Sequence, residues 1–266
     1  MTLNLDPLVA PLPAEVPLPK APLVRVIAQI RFPLIVSIEK REFIAPFQEA
    51  LRATYPVLRQ ERAQGVVFDA QGVRPAPGGL IWRFKDVEGR WQVSLAPDFV
   101  ALETTSYSSR KDFFERLSAV LNALEKYFEP KIVDRIGVRY IDRLVGPALA
   151  DIGKLVQPHM LGVLGTPAAG HVEQTVNESV FSVQESNAMI LLRHGRVPKG
   201  ATVDPAAIDP IGEPSWILDI DMFRTGSREF RAQEIVDQAR GFAERIYTIF
   251  RWAVSEEFLR HFGGKV

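Results

Sequence analysis

The stretch from residue 79 to residue 140 constrains the fold of this chain more than any other, because its apolar side chains alternate with polar ones. Leu80, Trp82 and Phe84 alternate with Arg83 and Lys85, and apolar residues at 91, 93 and 95 alternate with polar ones after a Glu-Gly pair. A period of two is typical of antiparallel strands with one buried face, and Glu-Gly suits the turn between them. The same reasoning predicts strands at residues 23–32, 58–68, 80–85, 91–95, 100–107, 135–141, 171–184, 188–196 and 216–223.

Two long stretches carry apolar residues at the helical period instead. Residues 110–128 present one apolar stripe, and Ser109 followed three residues later by Asp112 predicts a helix N-cap. Residues 231–261 present a second stripe and predict one final helix. We therefore expect long amphipathic helices beside the strands.

Prolines and glycines divide the remaining chain. A shorter helix is predicted at residues 41–54, and Pro46 predicts that it starts later than Arg41, because proline is best tolerated in the first turn. Residues 71–79 and 197–215, which are rich in proline and glycine, are predicted to be loops. Long irregular loops are often functional.

Strands followed by a long helix predict an α+β fold, with an antiparallel sheet packed by long amphipathic helices. Residues 80–128 and 188–258 share this order, which raises the hypothesis of two pseudo-repeats. A curved sheet that grips its helices, as in TATA-binding-protein-like or helix-grip folds, is the fold-level analogy we favour. The predicted organisation is an arm at residues 1–22, an N-terminal half at 23–145 and a C-terminal half at 146–266, with the two halves sharing one core or sheet.

The composition excludes several function classes. The 32 basic and 32 acidic side chains give a formal net charge of zero, which argues against a strongly cationic nucleic-acid binder. The chain has no cysteine, so thiolate catalysis and cysteine-based metal sites are excluded. No apolar run approaches the roughly 18 residues of a membrane span, and no signal-peptide pattern opens the chain. We expect a cytoplasmic protein that does not contact a membrane.

The first 22 residues contain six of the chain's 20 prolines. Proline fixes φ and removes an amide donor, so these residues are predicted to form an extended, polyproline-like arm. The arm either lies along the domain or is a mobile tail. The sharper alternative is a ligand for a proline-recognising or assembly partner.

One face of the predicted sheet carries the first candidate site. Alternation places Arg25, Gln29 and Arg31 on one side of the first strand. If the polar sides of the other strands coincide with it, they form a basic surface, on which Gly137 leaves room for close approach. Guanidinium groups suit phosphate or carboxylate partners. The competing interpretation is an exposed face neutralised by Glu103 and nearby acids. The candidate anion-binding or nucleic-acid-binding residues are Arg25, Arg31, Arg83, Lys85, Arg135 and Arg139.

Asp219 and Asp221 form the second candidate, because their spacing puts both carboxylates on one side of a strand. They could hold a divalent cation, although no third ligand is evident, or they could pair with the arginines across the sheet. His194, beside Arg193, joins them only in the hypothesis of an enzyme of unknown class. The four histidines lack metal-ligand spacing, and nucleophile-elbow, Walker and dinucleotide motifs do not occur. We therefore predict no metal or cofactor and lean against an enzyme.

Several strand-like stretches resemble, in their order, a sporadically distributed family of uncharacterised prokaryotic proteins of similar length. They are residues 23–33, 55–56, 82–84, 98–104, 135–142 and 216–221. The resemblance covers most of the chain from residue 22 onward and implies no activity, cofactor or catalytic residue. The family's sporadic distribution implies mobile or defence-linked genes.

These observations favour a non-catalytic binding or interaction protein, and the resemblance implies that it is a component of a bacterial multi-protein, defence-linked system. Its expected partner is another protein or a second copy of the chain. The first alternative is a nucleic-acid or nucleotide binder that uses the arginine-bearing sheet face. The second alternative is an enzyme of unknown class.

Overall fold

The computed structural model describes residues 5–69 and 72–265, with side chains described outside residues 63–78. Within these residues, nine strands are β1 (Leu23–Arg31), β2 (Val57–Asp69), β3 (Gly72–Lys85), β4 (Trp91–Ala96), β5 (Phe99–Thr104), β6 (Ile132–Leu144), β7 (Thr175–Val183), β8 (Ala188–Val197) and β9 (Ser215–Glu229). They form one large antiparallel sheet in the order β2-β3-β4-β5-β1-β6-β9-β8-β7.

The same part of the chain contains seven α-helices, and the predicted α+β class with a large antiparallel sheet is confirmed. The helices are α1 (Arg41–Leu51), α2 (Arg110–Phe128), α3 (Gly146–Ala150), α4 (Ile152–Leu155), α5 (Pro158–Leu161), α6 (Ala232–Ala253) and α7 (Glu256–His261). Among the described residues, no helix combines the length and the hydropathy needed to cross a membrane.

By its internal contacts the chain divides into two compact units. We call the unit that contains both chain ends the terminal unit, made of residues 1–26, 138–223 and 241–266. The central unit contains residues 27–137 and 224–240.

The core of the central unit confirms the alternation predicted for its strands. Trp82 and Phe84 are buried, while Arg83 between them is only half-buried. The ring of Phe84 meets Phe47 of α1 edge-on, with centroids 5.4 Å apart. Trp82 is fixed further because its Nε1 donates to the backbone carbonyl of Ile38 at 2.7 Å. The apolar faces of the strands therefore pack against the apolar stripe of a helix.

The hairpin of β2 and β3 is longer than expected, and the loop predicted at residues 71–79 is wrong for residues 72–79. Residue 71 lies outside the described residues. β4 pairs with β3 only from Trp82 onward, so one edge of the earlier part of β3 is open. Pro75 and Pro77 are two residues apart, and their missing amides therefore point to the same edge. An open edge needs no amide donor and tolerates both prolines.

Helix α1 begins at Arg41 and contains Pro46, so the expected later start is wrong. The helix loses one backbone hydrogen bond at Pro46, and the burial of Ile44, Phe47 and Leu51 offsets that loss.

The N-cap predicted for α2 is confirmed, because the Ser109 hydroxyl accepts from the backbone N–H of Asp112 at 3.1 Å.

The single final helix predicted for residues 231–261 is wrong, because α6 ends at Ala253 and α7 starts at Glu256. Ser255 separates them and caps α7 by accepting from the backbone N–H of Phe258 at 3.1 Å. An apolar stripe that continues through both helices hides this break, since the side chains on either side keep the same period.

The N-terminal arm lies along α6 in the terminal unit, which is one of the arrangements predicted for it. Arg245 Nη1 donates to the carbonyls of Pro7 at 3.0 Å and Ala10 at 2.7 Å. The arm is not extended throughout, because the backbone N–H of Ala10 donates to the carbonyl of Asp6 at 2.9 Å and closes a turn. Asp6 favours this turn because its carboxylate also accepts from the backbone N–H of Leu8.

Candidate anion-binding site

Two arginines and two aspartates meet on one face of the sheet in the terminal unit. Arg139 lies in β6, Asp219 in β9 and Arg193 in β8, which are neighbouring strands in that order. Asp219 is directly opposite Arg193 in the register of β8 and β9. The fourth member, Asp204, lies in the irregular segment at residues 198–214 that we call the cover loop. Three strands and one loop therefore build this site, which we call the arginine–aspartate cluster.

The distances show that each carboxylate contacts both guanidinium groups. Arg139 Nε donates to Asp219 Oδ1 and its Nη2 donates to Asp219 Oδ2, both at 2.7 Å. Arg139 Nη1 also donates to Asp204 Oδ2 at 2.8 Å. Arg193 Nε lies 3.2 Å from Asp219 Oδ2, and Arg193 Nη2 lies 3.8 Å from Asp204 Oδ2. Asp204 thus bridges the two arginines from above the sheet.

The four side chains are not equally buried. The exposed fraction is 1% for Asp219, 13% for Arg139, 17% for Arg193 and 24% for Asp204. Asp204 is therefore the member most accessible to solvent. The cluster holds two positive and two negative groups and carries no net charge of its own when all four are ionised.

Arg139 and Asp204 shift the pKa of each other toward the ionised form despite their burial. Burial alone would raise the pKa of Asp204, but the hydrogen bond and charge of Arg139, with a further charge from Arg193, bring it below its ordinary value. Burial alone would lower the pKa of Arg139, but Asp219 and Asp204 bring it above its ordinary value. We therefore expect Asp204 and Arg139 to be ionised at neutral pH.

A second arginine contact holds the cover loop. Arg143 Nη2 donates to the backbone carbonyl of Asp209 at 2.7 Å. Burial lowers the pKa of Arg143, and the charge of Asp209 opposes that shift. Ala207 and Ile208 of the loop are buried, so apolar contacts accompany the polar ones.

The other predicted arginines of the sheet face have acidic neighbours of their own in the central unit. Arg31 forms an exposed ion pair with Asp98. Arg83 Nε lies 3.2 Å from Glu61 Oε2, and its Nη1 lies 3.7 Å from Glu103 Oε1. The acids required by the competing interpretation are therefore present, while binding of an anion by these arginines stays a prediction.

The space expected above Gly137 is filled by a side chain of the chain itself. A Cβ atom at Gly137 would lie 2.5 Å from Nη1 of Arg135, so the guanidinium group covers the glycine. The same Nη1 donates to Gln29 Oε1 at 3.3 Å. Arg25 and Lys85, the last two predicted residues, are half-buried in their strands.

Of the three residues named for an enzyme, Asp219 and Asp221 lie two positions apart in β9, but His194 does not join them. Arg193 is opposite Asp219 and His194 is opposite Leu218, so the alternation of side chains places Asp219 and His194 on different faces. The imidazole of His194 packs near Trp216, and burial lowers its pKa. Asp219 pairs with arginine, as one of its two interpretations predicted. In the described ranges, no three histidine, aspartate or glutamate side chains could share a metal ion.

Sequence reasoning missed Asp204 and named Arg193 only as a neighbour of His194. Arg193 carried a weak signal, because it lies in the strand predicted at residues 188–196. Asp204 carried none, because an irregular loop has no period from which the direction of a side chain could be inferred.

A cavity of about 470 Å³ lies between the N-terminal arm and α6, and its size suits a small ligand. Its lining includes Leu12 of the arm and Trp252 of α6. Arg251, which also lines it, donates to the carbonyl of Ala14 at 3.1 Å and so holds the arm. Arg251 is therefore engaged in holding the arm against α6.

Comparison with models of protein families, with curated proteins and with solved structures gave no match. What the chain binds has therefore to be inferred from the geometry of the arginine–aspartate cluster.

Proposed function

We propose that the chain is a non-catalytic binding protein whose terminal unit holds an acidic group of a partner protein between Arg139 and Arg193. The observation that carries this proposal is the bridging position of Asp204. Two guanidinium groups around one carboxylate are the arrangement by which arginines recognise acidic ligands. Asp204 thus occupies the place that a carboxylate of the partner would take.

The position of Asp204 in a loop supports this proposal. It lies in the cover loop and not in a strand, so it can leave the cluster without breaking the sheet ladder. Arg139 keeps both bonds to Asp219 when Asp204 leaves, which holds the guanidinium group in place. Arg139, Arg193 and Asp219 would then sum to one positive charge, which Glu178, 3.9 Å from Arg193 Nε, balances only in part, so the vacated cluster would favour an anion in the same position.

A protein partner is favoured over a nucleic acid by the pairing of the other arginines. Binding to a phosphate backbone depends on several cations that are free to replace counterions. Arg83 faces Glu61 and Glu103, and Arg31 faces Asp98, so these positive charges are already balanced. A nucleic-acid or nucleotide binder is accordingly the alternative function.

The hydrogen bonds of Asp219 support a non-catalytic role. Both of its oxygens accept hydrogen bonds from Arg139, so both are already engaged within the cluster. His194 lies on the other face of the same strand pair. These two residues would have to act together in the enzyme alternative, and their positions do not support that.

We also propose that residues 80–128 and 188–258 belong to two pseudo-repeats of a TATA-binding-protein-like or helix-grip sheet. A central strand, β1 or β6, precedes each of them, and the chain then returns toward the centre through an antiparallel meander from an outer strand. Each meander is followed by a long helix, α2 or α6. This order supports the analogy, which carries no function by itself. We further propose that the chain belongs to the sporadically distributed prokaryotic family and acts in a multi-protein system. This proposal rests on the strand-like stretches that resemble that family.

The binding proposal is tested with the full chain and a hexa-aspartate peptide. Asp204→Ala vacates the cluster, while Asp209→Ala removes the same charge from the same loop and keeps the backbone contact to Arg143. We expect Asp204→Ala to bind the peptide at least about tenfold more tightly than the wild-type chain, because a tethered carboxylate competes at a high effective concentration. Asp209→Ala should match the wild type in isothermal titration.

Two further measurements make the result specific. Adding Arg193→Ala to Asp204→Ala should remove the gain in affinity. Equal affinities of the two aspartate variants would contradict the proposal. Binding of a labelled DNA oligonucleotide at low salt, weakened by Arg83→Ala but not by Arg193→Ala, would instead favour the nucleic-acid alternative.

A further inference from the structure

The strand β7 ends the sheet and lacks the features that protect a sheet edge from pairing. It pairs with β8 at nine consecutive positions without a bulge. Its only charged residue is Glu178, and it contains no proline or lysine. In the part of the chain that the structure describes, no backbone hydrogen bond joins β7 to a strand other than β8. The outer backbone groups of β7 are therefore open to a further strand.

The opposite edge of the same sheet carries the usual protection. β2 has Arg59, Glu61 and Arg62 within a short stretch, and its register with β3 shifts between Arg62 and Gln64. Charged side chains and bulges at an edge disfavour the addition of another strand. The contrast between the two edges indicates that β7 is kept open for a partner.

The side chains of β7 also suit a neighbouring strand. Val176 is 40% exposed and Val180 is 58% exposed, and both point to the same face as Glu178. A strand added at this edge would cover part of these valines through cross-strand contacts. Glu178 lies 3.9 Å from Arg193 of β8, so its charge is partly balanced within its own sheet.

We propose that β7 pairs antiparallel with β7 of a second copy of this chain, around a two-fold axis at Ser179. In this register Ser179 faces its own equivalent, Glu178 faces Val180 and Val176 faces Ser182. A register centred on Glu178 would instead set two carboxylates opposite each other, which is unfavourable. The single charge of β7 therefore disfavours the register centred on Glu178, and the register centred on Ser179 is self-complementary, as a two-fold interface requires.

The first test uses the absence of cysteine from the chain. Ser179→Cys introduces one thiol at the predicted axis, where directly opposed Cα atoms are about 4.5–5.5 Å apart, a distance that suits a disulfide. We expect this variant to form a covalent dimer under mild oxidation. Ser182→Cys should do so much less, because its opposite residue is Val176. Val87→Cys, at a turn position that is 79% exposed, measures the background.

The second test uses the unmodified chain. Analytical ultracentrifugation should show a concentration-dependent dimer for the wild type, lost in Val180→Glu, which sets a carboxylate opposite Glu178 of the other copy, and kept in the matched surface control Val87→Glu. A wild-type chain that stays monomeric, with Ser179→Cys no more reactive than Val87→Cys, would overturn the pairing. Equal cross-linking of Ser179→Cys and Ser182→Cys would overturn the register. Both outcomes are independent of peptide binding at Arg139 and Arg193.

Discussion

At the scale of single residues, the chain depends on charges that are buried with their partners. Asp219 lies between two arginines with 1% of its side chain exposed. Removing one partner of a buried pair leaves an uncompensated charge, whereas an exposed pair contributes little. The arginine–aspartate cluster should therefore be sensitive to single substitutions in a way that surface pairs are not.

We expect Asp219→Asn to lower the free energy of unfolding by about 3 kcal/mol, because Arg139 and Arg193 then share only Asp204. Asp98→Asn, which breaks the exposed pair with Arg31, should cost less than about 1 kcal/mol. Urea unfolding followed by circular dichroism measures both. Similar losses in the two variants would show that the cluster is no more important than a surface pair.

Asp142 gives a prediction about pH. Burial raises its pKa from the ordinary value of 3.8 to about 7. Because the folded-state pKa is the higher one, the stabilising contribution of protonation is complete below pH 3.8 and is lost as the pH rises through 7. Asp142→Asn stays neutral, so it should be more stable than the wild type at pH 8, by at most about 4 kcal/mol.

The advantage of Asp142→Asn should shrink as the pH of the unfolding experiment is lowered toward about 4. A constant difference in the free energy of unfolding at all pH values would mean that Asp142 does not titrate with the raised pKa.

At the scale of elements, the edge strand depends on one glycine in its neighbour. Gly195 of β8 has φ +149°, and a Cβ atom there would collide with the carbonyl oxygen of Thr175 in β7. Gly195→Ala should lower the free energy of unfolding by about 2 kcal/mol, because the pairing of β7 and β8 must open at that point. Gly212→Ala meets no atom within 4 Å and should change stability little in thermal unfolding.

Elements were predictable where one local pattern decides the structure. The alternation around Trp82 and Phe84 predicts strands, and the serine at position 109 predicts the cap of α2. Prediction failed where tertiary context overrides the local pattern. Pro75 and Pro77 are accepted because one edge of β3 is open, and Ser255 ends α6 inside an unbroken apolar stripe. Neither the open edge of β3 nor the end of α6 can be inferred from the residues next to it in the sequence.

At the scale of the whole molecule, the candidate site joins residues that are distant in the sequence. Arg139 and Asp219 are 80 positions apart, and Arg139 and Asp204 are 65 apart. Periodicity could place Arg139 and Asp219 on faces of strands, and it raised their pairing as one alternative. It could not give the strand order that makes them neighbours or the path of the loop that brings Asp204 to them.

The order of the strands also decides which surfaces remain for partners. One edge strand of the sheet is β2, which carries several charges and a register shift. The other is β7, which carries one charge and pairs with β8 without a register shift. The long loop and the open edge both belong to the terminal unit. We therefore expect surface substitutions in the terminal unit to weaken partner binding more than surface substitutions in the central unit do.

The central claim is that Arg139 and Arg193 form a binding site that Asp204 occupies until an acidic ligand replaces it. NMR of the arginine Nε–Hε groups, with hexa-aspartate titrated into the wild-type chain and into Asp204→Ala, tests this directly. We predict that the signals of Arg139 and Arg193 shift together, at lower peptide concentration in Asp204→Ala, while Arg116 of α2 does not respond. Signals of Arg139 and Arg193 that stay unchanged in both proteins at saturating peptide would contradict it.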